Sequence, residues 1–168
     1  MTVKESMLAE LEQTRGEFLR LLESVPEADY AKQSGNEAWT VGEVLHHITL
    51  GPLAIAFEAW MILHARGLFQ LAMNILPSRM FNRVNAWFAR RDKRRLTRSG
   101  LAKNYETGHA ALRSVVRRAR GENLTRSVTY PQEFVAELAG EVSVERLVRY
   151  AKGHVEVHAG QIRAGLIG

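Results

Sequence analysis

His154-Val155-Glu156-Val157-His158-Ala159-Gly160-Gln161-Ile162 closes a strongly amphipathic run that begins at Ser143. Residues on a helix advance about 100° each, so positions four apart share one face. Leu147, Val148, Ala151, Val155 and Ile162 form the apolar arc, and Glu145, Arg149, Lys152 and Glu156 fall opposite. His154 and His158 lie in the arc of Leu147 and Ala151 and therefore point toward the expected core. A buried imidazole needs partners for both ring nitrogens. A metal ion shared by the two histidines would give one partner to each.

Working outward from this last helix, the same 3.6-residue period recurs almost throughout. Residues 3–25 read as helix one, with Met7, Leu11, Phe18, Leu21, Leu22 and Val25 at helical spacing and Pro26 as its stop. Residues 28–38 read as a loop around Ser34-Gly35-Asn36. Helix two starts at Thr40, where Glu43 completes a capping box and Trp39 with Val44 fits a hydrophobic staple. It carries Pro52 as an internal kink and is expected to stop near Gly67. Residues 97–120 read as helix three, stopped by Gly121. Residues 122–142 read as a connection in which Val128-Thr129-Tyr130 is the one short strand candidate. Ser143 caps the last helix, expected to end near Ala164. The expected fold is all-α: an antiparallel four-helix bundle, one domain over residues 1–168, with a helical insertion at 68–95.

A chain of 168 residues buries roughly 70% of its unfolded surface and needs no disulfide or metal to hold a core. It has no cysteine, which excludes thiol chemistry of its own and Cys-ligated zinc. No signal peptide and no uncharged run of about 18 apolar residues is visible, so a cytoplasmic location is expected. Net charge is +5, carried by 18 Arg and 5 Lys against 18 acids. Eight of these cations, Arg79, Arg83, Arg90, Arg91, Lys93, Arg94, Arg95 and Arg98, share one stretch with a single acid, Asp92.

The insertion is richly apolar and then richly basic, with Pro77 expected to split it into two short helices. Packing on the bundle with solvated arginines is its plainest reading. A homodimer contact is the next reading, covering the mouth of the pocket or lying on a peripheral membrane surface are further ones, and single-stranded nucleic acid at Trp87 and Phe88 is the least favoured.

A metal centre needs more than two histidines, and helix two offers a third. In Val44-Leu45-His46-His47-Ile48, His47 lies one turn after Glu43 and Val44, near the apolar face, while His46 is rotated toward its edge. Three neutral imidazoles on two helices would hold a divalent cation and leave positions open. A single histidine on an apolar face is more often a hydrogen-bonded core residue, and His-x-x-x-His is a common spacing. It is not the zincin motif, because Val155 stands where that motif has Glu, and Glu156 points away. His64, at the end of helix two, suits the helix dipole. His109 in helix three and Glu58, two to three turns below His47, are open to supporting or ordinary surface roles.

Trp39 with a histidine eight positions later resembles one half of a family pattern. The other half is Gly140-Glu141-Val142-Ser143 followed by His154-x3-His158-x2-Gln161-Ile162. Together they resemble the DinB/YfiT-like superfamily along the whole chain. The resemblance implies a four-helix bundle with one metal-ligating His on helix two and two on helix four, here His47, His154 and His158. It implies a divalent metal, zinc or nickel. For function it implies a metal-dependent enzyme that transfers or isomerises with a low-molecular-weight thiol, bacillithiol or mycothiol, or a hydrolase. A chain without cysteine is compatible with this, because the thiol arrives with the cosubstrate. The Arg-over-Lys bias fits a GC-rich genome and favours mycothiol. The competing reading is a non-catalytic bundle that binds an acidic partner or membrane surface through residues 79–98.

Overall fold

The computed structural model describes residues 1–75, 96–132 and 136–167. Its long helices are α1 (Val3–Ser24), α2 (Val41–His64), α4 (Arg98–Arg118) and α5 (Val144–Ile167), and a shorter α3 (Arg66–Ile75) follows α2. Each long helix begins on a hydroxyl that accepts a backbone N–H three residues on. The pairs are Glu5 to Thr2 at 3.2 Å, Glu43 to Thr40 at 3.3 Å, Gly100 to Thr97 at 3.2 Å and Arg146 to Ser143 at 3.1 Å. At Thr2 and Thr40 the glutamate also accepts the cap N–H, completing the box.

α1 and α2 each pack against both α4 and α5, so the helices run α1–α4–α2–α5 around the core. Arg15 of α1 meets Glu106 of α4 through Nε at 2.8 and 2.9 Å. Lys4 reaches Ala119 O at 2.8 Å, so α1 and α4 are antiparallel. α2 and α5 are also antiparallel, with Gly51 against His154. α2 and α4 run parallel, with Gly42 beside Leu96 and Gly108 beside Leu53. A Cβ at Gly108 would stand 2.9 Å from the Leu53 nitrogen, which explains a glycine in mid-helix. The expected antiparallel bundle is therefore built from two antiparallel pairs. The long connection after α2 returns the chain to the end where α2 began.

Two apolar groups fill the bundle. Phe18, Leu45, Ile48, Leu101, Tyr105 and Ile162 belong to the histidine end, and Met7, Ile62, Leu112, Val116, Leu124 and Leu147 to the other. Each fully buried side chain of this size contributes about 1.5–3 kcal/mol.

Local departures from the sequence reading have local causes. α2 ends at His64, not near Gly67, because Ala65 leaves helical geometry at φ −138°, ψ 36°. The chain bends by 120° there, and Gly67 lies inside α3. α2 continues through Pro52 without ending there. α4 stops at Arg118, before Gly121, and α5 continues past Ala164 to Ile167.

The connection at 122–142 contains two antiparallel strands, β1 (Ser127–Tyr130) and β2 (Gly140–Ser143), with Val128 opposite Val142. β2 was invisible to periodicity because it is four residues long. It starts at Gly140, whose φ of +85° disfavours other residues. α3 lies on β1, where the Gln70 amide copies a neighbouring strand. Gln70 accepts from Thr129 N at 2.7 Å and donates to Thr129 O at 3.1 Å. The first part of the expected insertion is thus helical. Pro77, Trp87, Phe88 and the basic residues 79–95 lie outside the described residues. Arg98 ties α4 to α1, donating from its backbone to Glu27 at 2.7 Å and from its guanidinium to Val25 O at 3.1 Å. No single helix among the described residues is long and apolar enough to cross a membrane.

Candidate metal centre

His47 sits in the second turn of α2, facing the seam with α5. His154 and His158 stand one turn apart on α5 and face the same seam. The Nε2 atoms of His47 and His154 are 3.0 Å apart. The ring centroids are 4.9 Å apart for His47–His154, 4.7 Å for His47–His158 and 4.6 Å for His154–His158. One ligand nitrogen from each ring lies within 4.8 Å of the other two. The rings are only partly shielded by the core: His47 and His158 are half-buried, and His154 is the most enclosed. The cluster lies in the α2–α5 seam, with His154 buried.

The surroundings fix the rings. His158 Nδ1–H donates to Gln161 Oε1 at 2.8 Å, which leaves Nε2 with its lone pair free to bind. Trp39 lies against His47, centroids 4.7 Å apart, and 6.3 Å from His158. Tyr150 stands 5.8 Å from His154. Gly51 gives the His154 ring its space, since a Cβ there would approach Cε1 to 3.0 Å and Nδ1 to 3.1 Å.

Electrostatics keep the three rings neutral. Burial, then the neighbouring His158 and His46, push the His47 pKa down to about 3. Burial, then His47 and His158, hold His154 well below the usual histidine range. Burial lowers His158 as well, opposed by the Gln161 hydrogen bond and by Glu137. Neutral imidazoles with converging lone pairs are the protonation state that a cation requires. A set of three nitrogens suits borderline divalent ions such as zinc or nickel and leaves coordination positions open.

The other candidates go elsewhere. His46 was placed at the edge of helix two, yet it is buried, 6% exposed. α2 is flanked by both α4 and α5, so its apolar arc is wider than one stripe. His64 ends α2, with Trp60 5.3 Å from its ring. Glu58 accepts from the Tyr130 hydroxyl at 2.6 Å, and burial raises its pKa despite that bond. Glu156 is exposed beside Lys152 at 3.7 Å, as its position on the far face required. His109 is buried in α4, its Nε2 3.8 Å from Glu12.

Four contributors escaped the residue-by-residue reading as site residues: Gln161, Trp39, Gly51 and Tyr150. Spacing carried a signal for two of them. Gln161 follows His158 by three and Gly51 follows His47 by four, one helical turn each.

The sequence pattern of the DinB superfamily matches residues 10–162. The chain belongs to the DinB superfamily. Two solved structures share the fold of this DinB protein. One is the mycothiol-dependent maleylpyruvate isomerase, with TM-score 0.68, 17% identity and 98% of this chain covered. The other is a histidine-to-alanine mutant of that isomerase, with TM-score 0.69, 16% identity and 98% coverage. The DinB chain spans 64% of the length of either structure. No protein of curated function matches its sequence.

Proposed function

We propose that this DinB protein is a divalent-metal-dependent enzyme in which His47, His154 and His158 hold zinc or nickel, and that it uses a low-molecular-weight thiol as cosubstrate. The observation that carries this reading is the convergence of three neutral imidazoles, one ligand nitrogen each within 4.8 Å of the others. A cation held there would lower the pKa of a bound thiol and so supply a nucleophile at neutral pH. Residues of the chain do the remaining work. Gln161 fixes which His158 nitrogen faces the seam. Trp39 and Tyr150 form apolar walls that limit water. The absence of cysteine leaves the thiol to come from outside.

The fold shared with a mycothiol-dependent isomerase supports transfer to, or isomerisation of, an electrophilic small molecule. Because 64% of that chain is matched, its substrate is not carried over.

Elemental analysis of the purified protein tests the metal. About one equivalent of zinc or nickel, lost in His154→Ala, is expected. No metal, and none taken up from zinc, nickel or manganese solutions, overturns the site. Loaded protein is then assayed with electrophiles in the presence and absence of mycothiol or bacillithiol. Turnover that does not depend on thiol overturns the cosubstrate.

A further inference from the structure

The far end of the bundle carries a second concave surface. It opens between the C-terminal turns of α2 and α4 and the 3₁₀ turn Gly121–Thr125, with a volume of about 680 Å³. On α2 its lining residues Trp60 to His64 lie thirteen to seventeen residues beyond His47, about 20–25 Å along the axis. Its floor is apolar, made by Leu63, Val115 and Ala119, with the half-exposed Trp60 indole as one wall. Its rim is cationic, with Arg118, Arg120 and Arg126. A shallower hollow of about 530 Å³ continues along α4 past Arg113, Arg117 and Arg118.

Arg113 meets Glu12 at 3.2 Å and Arg126 spends one nitrogen on the fold, but Arg117, Arg118 and Arg120 are not consumed by it. Helix C-termini carry partial negative charge, which lysine or arginine can satisfy. Here Lys4 takes the Ala119 carbonyl at 2.8 Å, and one Arg126 nitrogen takes that of Leu63 at 2.8 Å. Arg117 and Arg118 are exposed and form no ion pair among the described residues. The only carboxylate recorded near Arg120 among the described residues is Glu122 at 4.0 Å, with both side chains largely in solvent. An apolar floor alone would suit a neutral ligand, and a rim of arginines alone a bare phosphate. The combination asks for both features in one molecule. The volume falls within the about 300–1,000 Å³ typical of small-molecule sites.

We propose that this groove is a binding site separate from the histidine cluster, and that it takes an organic anion with a flat apolar body, an aryl phosphate or aryl carboxylate. The indole and the aliphatic floor receive the body, and Arg118 and Arg120 pair with the anionic group. The arginine fork matches either anion in bidentate fashion. The proposal does not rest on the metal reading.

The test is calorimetric titration of the full chain with 1-naphthyl phosphate, beside 1-naphthol and inorganic phosphate. Naphthyl phosphate is expected to bind at least about tenfold more tightly than either part alone, and less tightly as salt rises. The double variant Arg118→Glu/Arg120→Glu is expected to lose at least about tenfold in affinity with its melting temperature held. His154→Ala is expected to bind as the parent does, which excludes the probe's phosphate sitting at the histidines. Trp60→Phe is expected to keep calorimetric binding, because a phenyl ring still walls the groove. Equal binding of 1-naphthol or of inorganic phosphate overturns the proposal. So does unchanged affinity in the double variant, loss of binding in His154→Ala, or capture of duplex DNA in place of the probe.

Discussion

Two of the places where this bundle shields histidine from water do so differently. In the α2–α5 seam, His47, His154 and His158 face one another, and the recorded partners of the cluster are a neutral amide and aromatic rings. Between α1 and α4, His109 stands alone among charges. Glu12 lies 3.8 Å from its Nε2, and Glu106 is held by Arg15 one turn away. Burial lowers the pKa at both places. At His47 and His154 the neighbouring imidazoles push further down, whereas Glu137 at His158 and Glu12 and Glu106 at His109 pull back upward. A buried histidine thus becomes a candidate ligand when other lone pairs share its space. A carboxylate partner offsets part of the burial effect, yet the His109 pKa still lies below the usual histidine range.

The sharpest way to break this contrast is to delete one histidine from each place. His47→Ala is expected to abolish metal uptake and turnover while the fold, read by circular dichroism, persists. His109→Ala is expected to leave the metal content near one equivalent. Equal loss in both variants would erase the distinction.

Acid titration probes the same contrast. The folded pKa values of the three seam histidines lie below the unfolded value of about 6.5. The unfolded chain therefore binds more protons between pH 6.5 and the folded values, and stability must fall as pH drops through that window. Denaturation midpoints of chelated protein are expected to decline from about pH 6.5 toward pH 3, more steeply than in His47→Asn. Metal affinity should fall over the same range, since protons compete for the nitrogens. A flat profile would show that the rings are not held neutral.

Gln161→Leu sharpens the seam's side. It removes the acceptor for His158 Nδ1–H, and a loss of about 10–100-fold in metal affinity is expected by competition with a chelating dye. The smallest effect belongs to the other region. Glu12→Gln removes a half-exposed carboxylate that also meets Arg113 at 3.2 Å. The expected stability change at pH 7 is under about 1 kcal/mol, with metal content unaltered.

Much of this was legible in the chain. Thr40 and Glu43 announced the start of α2, and Ser143 that of α5, because caps are local hydrogen bonds between residues three apart. His154 and His158 fell on one face by helical period alone. The end of α2 was misread because Ala65 carries no breaker, and the bend is set by α3 packing onto β1. Val128-Thr129-Tyr130 was read as a strand candidate and forms β1, but its partner β2 was missed because four residues give too little alternation to register. His46 was placed at the helix edge and is buried, whereas His47 meets His154 and His158 as its face suggested. Adjacent positions differ by 100°, and only the neighbours on each side decide which of them is covered.

Periodicity and capping pairs were enough to determine the long helices and to put His154 and His158 on one face, because each depends on residues within a few turns of one another, while the set of three with His47 came from the whole-chain resemblance to a family pattern. Tertiary structure alone set the distances. It brought His47 to 3.0 Å from His154 across 107 positions, used Gly51 to make room for the ring, and gathered Trp60 with Arg118 and Arg126 around one groove. Those relations depend on which helix faces cross and in which direction the helices run, and no local interaction specifies either.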